Sequence, residues 1–410
     1  MIHPATIRSD FPIFRHHPEL IYLDSAATTL KPNMVIETER AYLEKYSANI
    51  SRGLYDLSTR ATEAYEKTRD AVTHWISAQR EEIIFTSGTT ASINLLSYTL
   101  QQSIAPHQNI VVTEADHHAN FLPWQALAER VGAEFRVIPV SESGEIHVET
   151  LEKFLDKNTA VFAFPHISNV LGSVAPVRSI AEQTRILAPH ARIVLDAAQS
   201  VSHMSLNVNK LGVDFIAFSA HKCFGPTGVG ILWGKIDILN TLPPFLYGGD
   251  MVESATQNAS TFKKPPYRFE AGTPNISGVI AFRAAIEYIE AIGMENIREH
   301  ETHLTQYADT ELRKHFPNIR ILGPEKPSER GSLISFILPD IHAHDIAEVL
   351  AKENICVRAG AHCAHPLHVT LGIPASLRIS WSIYNTQEDI DHAIAGIQKA
   401  QKIFSKETEL

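Results

Sequence analysis

The sequence predicts an α/β protein: a large domain on a mostly parallel sheet, followed by a smaller α+β domain. Three observations carry this. Helical and strand patterns alternate from about residue 60, short apolar runs recur with enough chain between them to hold a helix, and the pattern changes beyond YRFEAGTPN. A chain of 410 residues also exceeds what one core usually organises.

Taken in order, Ala61, Ala64, Tyr65, Thr68, Val72, Trp75 and Ile76 recur at helical spacing, and EEIIFT follows, dense in β-branched and aromatic residues. Helix gives way to strand. NIVVT, FRVIPV, TAVFAF, RIVLD and DFIAFS repeat the strand signal. The stretch from Pro243 to Pro274, rich in Gly, Pro, Ser and Thr, reads as a long irregular loop, the kind that usually carries function or an interface. Beyond it Ser277 to Ile292 predicts a long helix. A helix, strand, helix, strand, helix series then runs to about Ile403.

Composition excludes several functions. Thirty-six basic and forty-six acidic residues leave a net charge of −10 without long runs of one sign, which argues against nucleic acid or an anionic membrane as partner. The apolar runs are far shorter than the roughly twenty residues that span a bilayer. Three cysteines make no disulfide framework, and the opening MIHPATIRSDFPIFRHH lacks a basic stretch followed by an apolar one. A cytoplasmic, reducing location is expected.

In open parallel sheets ligands sit beyond the carboxyl ends of the strands. EEIIFT runs into SGTT and a helix, so Gly88, Thr89 and Thr90 stand where backbone N–H groups and hydroxyls hold a phosphate, although the same turn serves as a plain helix cap. NIVVT ends in EADHHAN. His117 there is either a solvated loop residue or a ring that stacks on a planar cofactor. RIVLD ends at Asp196, with Gln199 close behind: a capping aspartate, or the partner of a cation such as a pyridinium nitrogen. DFIAF ends in SAHKCFGPTGVG, where Ser219 and His221 flank the turn and Lys222 either snorkels to solvent or forms a Schiff base. Together these are the parts for holding pyridoxal phosphate. A rival cluster is Cys356, His362, Cys363, His365 and His368, which hints at zinc although its spacing lacks the second ligand pair of a structural site.

The strings HHANFLPW, SNVLG, LDAAQS, SAHKCFGPTGVGIL, FEAGTPN, RAGAHCAHPL, LRIS and YNTQEDID, in this order over nearly the whole chain, resemble the class V aminotransferase family. Within it they are similar to group II cysteine desulfurases, the SufS and CsdA-like branch. The resemblance implies a fold-type I pyridoxal phosphate enzyme with a seven-stranded sheet. It also implies an N-terminal segment, 1–20, joining the small domain, a large domain over 21–290, and a small domain over 291–410 that carries the nucleophile. By the same resemblance Lys222 holds the cofactor aldehyde, Asp196 pairs with the ring nitrogen, Gln199 meets the ring hydroxyl and His117 stacks on the ring. Thr89, Thr90, Ser219 and His221 bind the phosphate, with Thr273 reaching in from the other subunit of a homodimer. Asn169, Arg358 and Arg378 orient the substrate. Cys363 is the nucleophile, its thiolate favoured by Arg358 and His362, or His362 relays a proton. No metal is expected.

The implied reaction converts L-cysteine to L-alanine, leaving a persulfide on Cys363 for a sulfur-acceptor protein, as in iron–sulfur cluster assembly. Cysteine sulfinate desulfination, selenocysteine lyase activity, a class V aminotransferase and a metal-binding protein are the alternatives. Tyr55 stands where some members of the branch have histidine, and Ala361 where they have a larger polar residue.

Overall fold

Period-two alternation in the apolar runs sets the architecture, because it gives each strand two faces to bury. The computed structural model describes residue 2 and residues 4–404. A short strand, β1 (Ile21–Tyr22), precedes the main sheet of β2 (Ile83–Thr86), β3 (Asn109–Thr113), β4 (Glu134–Ile138), β5 (Thr159–Pro165), β6 (Arg192–Asp196), β7 (Phe215–Ser219) and β8 (Gly230–Gly234). Their order across the sheet is β2-β8-β7-β6-β5-β3-β4. Six strands run in one direction and only β8 is reversed, pairing antiparallel with both β2 and β7. All six expected strands are present. The seventh, GILWG, gave no separate signal because glycines bound its short apolar run on both sides.

Alternate residues feed two cores. Val111, Phe162, Phe164, Ile193, Leu195, Ile216 and Phe218 face one way, against the helices Asp56–Trp75 and Ile276–Ile292. Ile110, Val112, Val161, Ala163, Val194 and Ala217 face the other, against the helices Thr89–Thr99 and His118–Val131. Both faces are therefore dry, as parallel sheets require.

The stretch read as irregular holds a hairpin, β9 (Val252–Ala255) with β10 (Ser260–Phe262), and a 3-10 turn at Tyr267–Phe269. Its residues are mostly exposed, so no apolar alternation marked it. At Gly293, with φ 87°, the chain leaves the helix Ile276–Ile292 and enters the helix Met294–His315.

A third core, including Leu304, Leu312, Ile334, Phe336, Leu350, Leu377, Ile379 and Ile394, belongs to an antiparallel sheet of β11 (Arg320–Leu322), β12 (Leu333–Ile337), β14 (Arg358–Gly360) and β15 (Ser376–Ser380). The remaining strand, β13 (Ile355–Cys356), pairs in parallel with β1. The N-terminal segment touches both bodies: Arg8 bonds Asp389 at 3.2 Å, while Phe11 packs on Phe224 and Tyr288.

Candidate active site

The carboxyl ends of the parallel strands converge on one cavity of about 200 Å³. β2 leads through Ser87 and Gly88 into the helix Thr89–Thr99. The Oγ of Ser219, at the end of β7, accepts from Thr89 N–H at 2.8 Å and meets Thr89 Oγ1 at 2.7 Å, so hydroxyls and free helix N–H groups share one corner. That corner depends on a close backbone approach. A Cβ on Gly230 of β8 would lie 2.4 Å from Gly88 Cα.

Beyond β3, His117 caps the helix His118–Val131, its Nδ1 accepting from Ala119 N–H at 3.0 Å. Burial, then the Lys222 charge, pushes this imidazole down to about 3, so it is neutral with its proton on Nε2. Beyond β6, Asp196 is buried and accepts from Ala198 N–H at 2.9 Å; burial holds its carboxyl above the usual range, with Lys222 opposing. Gln199 donates to Ala26 O at 2.8 Å. Lys222 follows β7 in a 3-10 turn. Its amine is pushed down to about 8 by burial, against the attraction of Asp196. His221 is likewise held near 4 by burial.

The second half of the site comes from the small domain. Arg378 of β15 is buried, donates to Asn169 O at 2.9 Å and pairs with Asp24 at 3.3 Å. Arg358 of β14 reaches the same carboxylate at 3.3 Å. Cys363 is exposed, on a turn where His362 and Cys363 take left-handed φ of 50° and 57°. Such backbone costs about 1–3 kcal/mol per residue and needs outside support. The large domain supplies it: Asn169 Nδ2 donates to His362 O at 2.7 Å, and His118 N–H donates to Cys363 O at 2.8 Å.

All the expected site residues line this cavity except Gly88, one step behind Thr89, and Thr273, which is exposed on its loop outside it. One expectation needs correction. His362 is buried, turns its Nε2 to Ser376 O and Oγ at 3.1 Å, and is pushed down to about 3 by burial and Arg378. It is neutral at ordinary pH and brings no positive charge to the thiol. The rival metal cluster is dispersed as well: His368 bonds Ser376 Oγ, His365 stacks on His118, and among the described residues no group of three or more His, Cys, Asp or Glu could hold a metal.

Asp24 was missed. It shares its two oxygens between the two arginines, and its only sequence signal is an acidic residue closing the short run IYLD.

The cavity fits pyridoxal phosphate in its chemistry. A buried carboxylate without a full complement of donors faces a lysine of lowered basicity, and a hydroxyl-rich helix start lies at one end. At the other, Asn169 Oδ1, Arg378 Nε and His362 Nδ1 are buried without hydrogen-bond partners. Residues 21–392 match the family Aminotransferase class-V. A probable cysteine desulfurase of Streptomyces coelicolor is 40% identical over 98% of each chain, and a cysteine desulfurase of Haloferax volcanii is 40% identical over 97% of each. The chain belongs to the class-V aminotransferase family, among its cysteine desulfurases. Solved cysteine desulfurases share this fold. The apo enzyme of Thermococcus onnurineus superposes with a TM-score of 0.93 at 36% identity, covering 99% of each chain. CsdA of Escherichia coli gives 0.91 at 32% identity, covering 98% of this chain and all of that one.

Proposed function

We propose that this enzyme removes sulfur from L-cysteine, releasing L-alanine and leaving a persulfide on Cys363. The observation that carries the reading is an exposed thiol, Cys363, held on a strained turn at the mouth of a cavity that fits pyridoxal phosphate. Bound there, pyridoxal phosphate supplies an electron sink for charge left on the substrate's α-carbon.

The chain's own groups do the rest. Thr89, Thr90, Ser219 and His221 would hold the cofactor's phosphate, Gln199 and His117 would hold the ring, and Asp196 would meet the ring nitrogen. Lys222 would anchor the cofactor, and its free amine takes the substrate's α-proton onto Nζ. Arg378 grips the substrate carboxylate with its planar fork, helped by Asn169 and Arg358. The Cys363 thiolate attacks the substrate's sulfur, forming an S–S bond. The electron pair of the broken C–S bond stays with the β-carbon, which takes up a proton; Lys222 Nζ returns its proton to the α-carbon, and alanine leaves.

The persulfide then passes to an acceptor, which we take to be a protein thiol. A homodimer is supported by a surface that water would not favour: Leu54 is 102% exposed and Tyr247 68%, on loops tied together by Arg52 and Asp250 at 3.1 Å. Thr273, outside its own cavity, is free to serve the partner's. Three free cysteines suit a reducing cytoplasm, and no helix among the described residues is long and apolar enough to cross a membrane.

Cys363→Ser tests the chemistry. The variant is expected to keep the cofactor's yellow absorbance and lose sulfur release from cysteine; release at the wild-type rate would overturn the reading.

A further inference from the structure

The large-domain loop from Ser168 to Ser173 meets the small domain through four consecutive carbonyls. Asn169 O accepts from Arg378 at 2.9 Å, Val170 O from Ser335 Oγ at 2.6 Å, Leu171 O from Arg330 Nη1 at 3.3 Å, and Gly172 O from Gly331 N–H at 2.8 Å. Arg330 Nη1 also donates to Leu322 O at 2.6 Å, joining the loop to β11. The same loop faces the nucleophile: Asn169 Nδ2 holds His362 O, while Val170 and Leu171 pack with Ala364 and Leu367 just beyond Cys363 in a separate apolar cluster.

Arg330 is the odd member. It is 1% exposed, its Nε and Nη2 have no hydrogen-bond partner, and Asp309 acts on it from a distance while pairing with Arg313 instead. A buried cation without a bonded carboxylate is costly, and an apolar side chain of similar length would serve packing at least as well. Its use must lie in what it holds.

We propose that Arg330 and Ser335 are positioning residues for Cys363. They clasp the backbone of the Asn169–Gly172 loop, and the loop in turn fixes the left-handed turn at His362 and Cys363 so that the thiol meets the substrate's sulfur. The inference rests on Cys363 being the nucleophile.

Two substrates separate clasp from scaffold. L-cysteine needs the thiol. L-cysteine sulfinate does not, because its γ-group departs as sulfur dioxide and leaves the bond pair on carbon. Arg330→Met is expected to lower cysteine turnover about tenfold or more, as small displacements of a reacting group do, while sulfinate turnover and cofactor absorbance hold. Arg330→Lys, which can still donate to both carbonyls, is expected to recover most of the loss. Ser335→Ala should shift the cysteine-to-sulfinate ratio in the same sense, less strongly, and carries the test alone if Arg330→Met does not fold. An equal fall on both substrates, or unchanged cysteine turnover in a folded variant, overturns the proposal. Failure of the underlying reading shows separately, as cysteine turnover surviving in Cys363→Ser.

Discussion

Lys222 and Asp24 show how single side chains are tuned by what surrounds them. An amine pushed down to about 8 is largely deprotonated one pH unit above that value, where an ordinary lysine is still charged. Capture of pyridoxal phosphate by the apoprotein, followed by stopped-flow absorbance, should therefore rise with pH through a midpoint near 8. A midpoint at the ordinary 10.5 would contradict the burial argument. Asp24 is the carboxylate partner of a nearly fully buried Arg378. Asp24→Asn leaves that guanidinium unpaired and is expected to cost about 3 kcal/mol by urea unfolding. KM for cysteine should rise with it, because the fork of Arg378 loses its reference point. A stable variant with unchanged KM would show that Asn169 O alone orients the arginine.

The meeting of β8 with the turn before the helix Thr89–Thr99 is a close backbone contact between two elements at the corner proposed to hold the phosphate. Gly230→Ala would drive a Cβ into the Gly88 backbone, which cannot step aside as a side chain can. Overpacking of this kind costs about 1–3 kcal/mol. The expected result is a lower unfolding midpoint together with faster loss of cofactor on dilution; retention at the wild-type rate would mean that the phosphate corner tolerates the shift. Strands such as TAVFAF and RIVLD were legible because dense β-branched and apolar runs need no tertiary context. GILWG and the hairpin β9–β10 were not, the first masked by glycines and the second mostly exposed.

Across the whole molecule, buried neutral histidines tie stability to pH. Burial lowers His117 and His362 from 6.5 to about 3, and His166 and His221 to about 4. Between about 6.5 and about 4 the unfolded chain binds protons that the folded chain does not, so this stability is intact above 6.5 and drains as pH falls. Each histidine contributes a slope of up to about 1.4 kcal/mol per pH unit. Urea midpoints taken from neutral pH down to about pH 4.5 should fall steadily, and a flat profile would mean that these rings are already protonated or solvated. The two bodies are also joined by a buried pair, His203 Nδ1 to Glu301 Oε2 at 2.8 Å.

The α/β class and the strands whose ends meet at the cavity could be read directly from the residues, because both follow from local periodicity, while the thiol could be read only through the resemblance to a family. Only the docked molecule shows that Asp24 serves arginines 334 and 354 positions away, that burial pushes the His362 imidazole down, and that four carbonyls of one loop are held from the other domain. These features depend on how distinct cores pack against one another, and the distance between their parts along the chain leaves no local pattern to read.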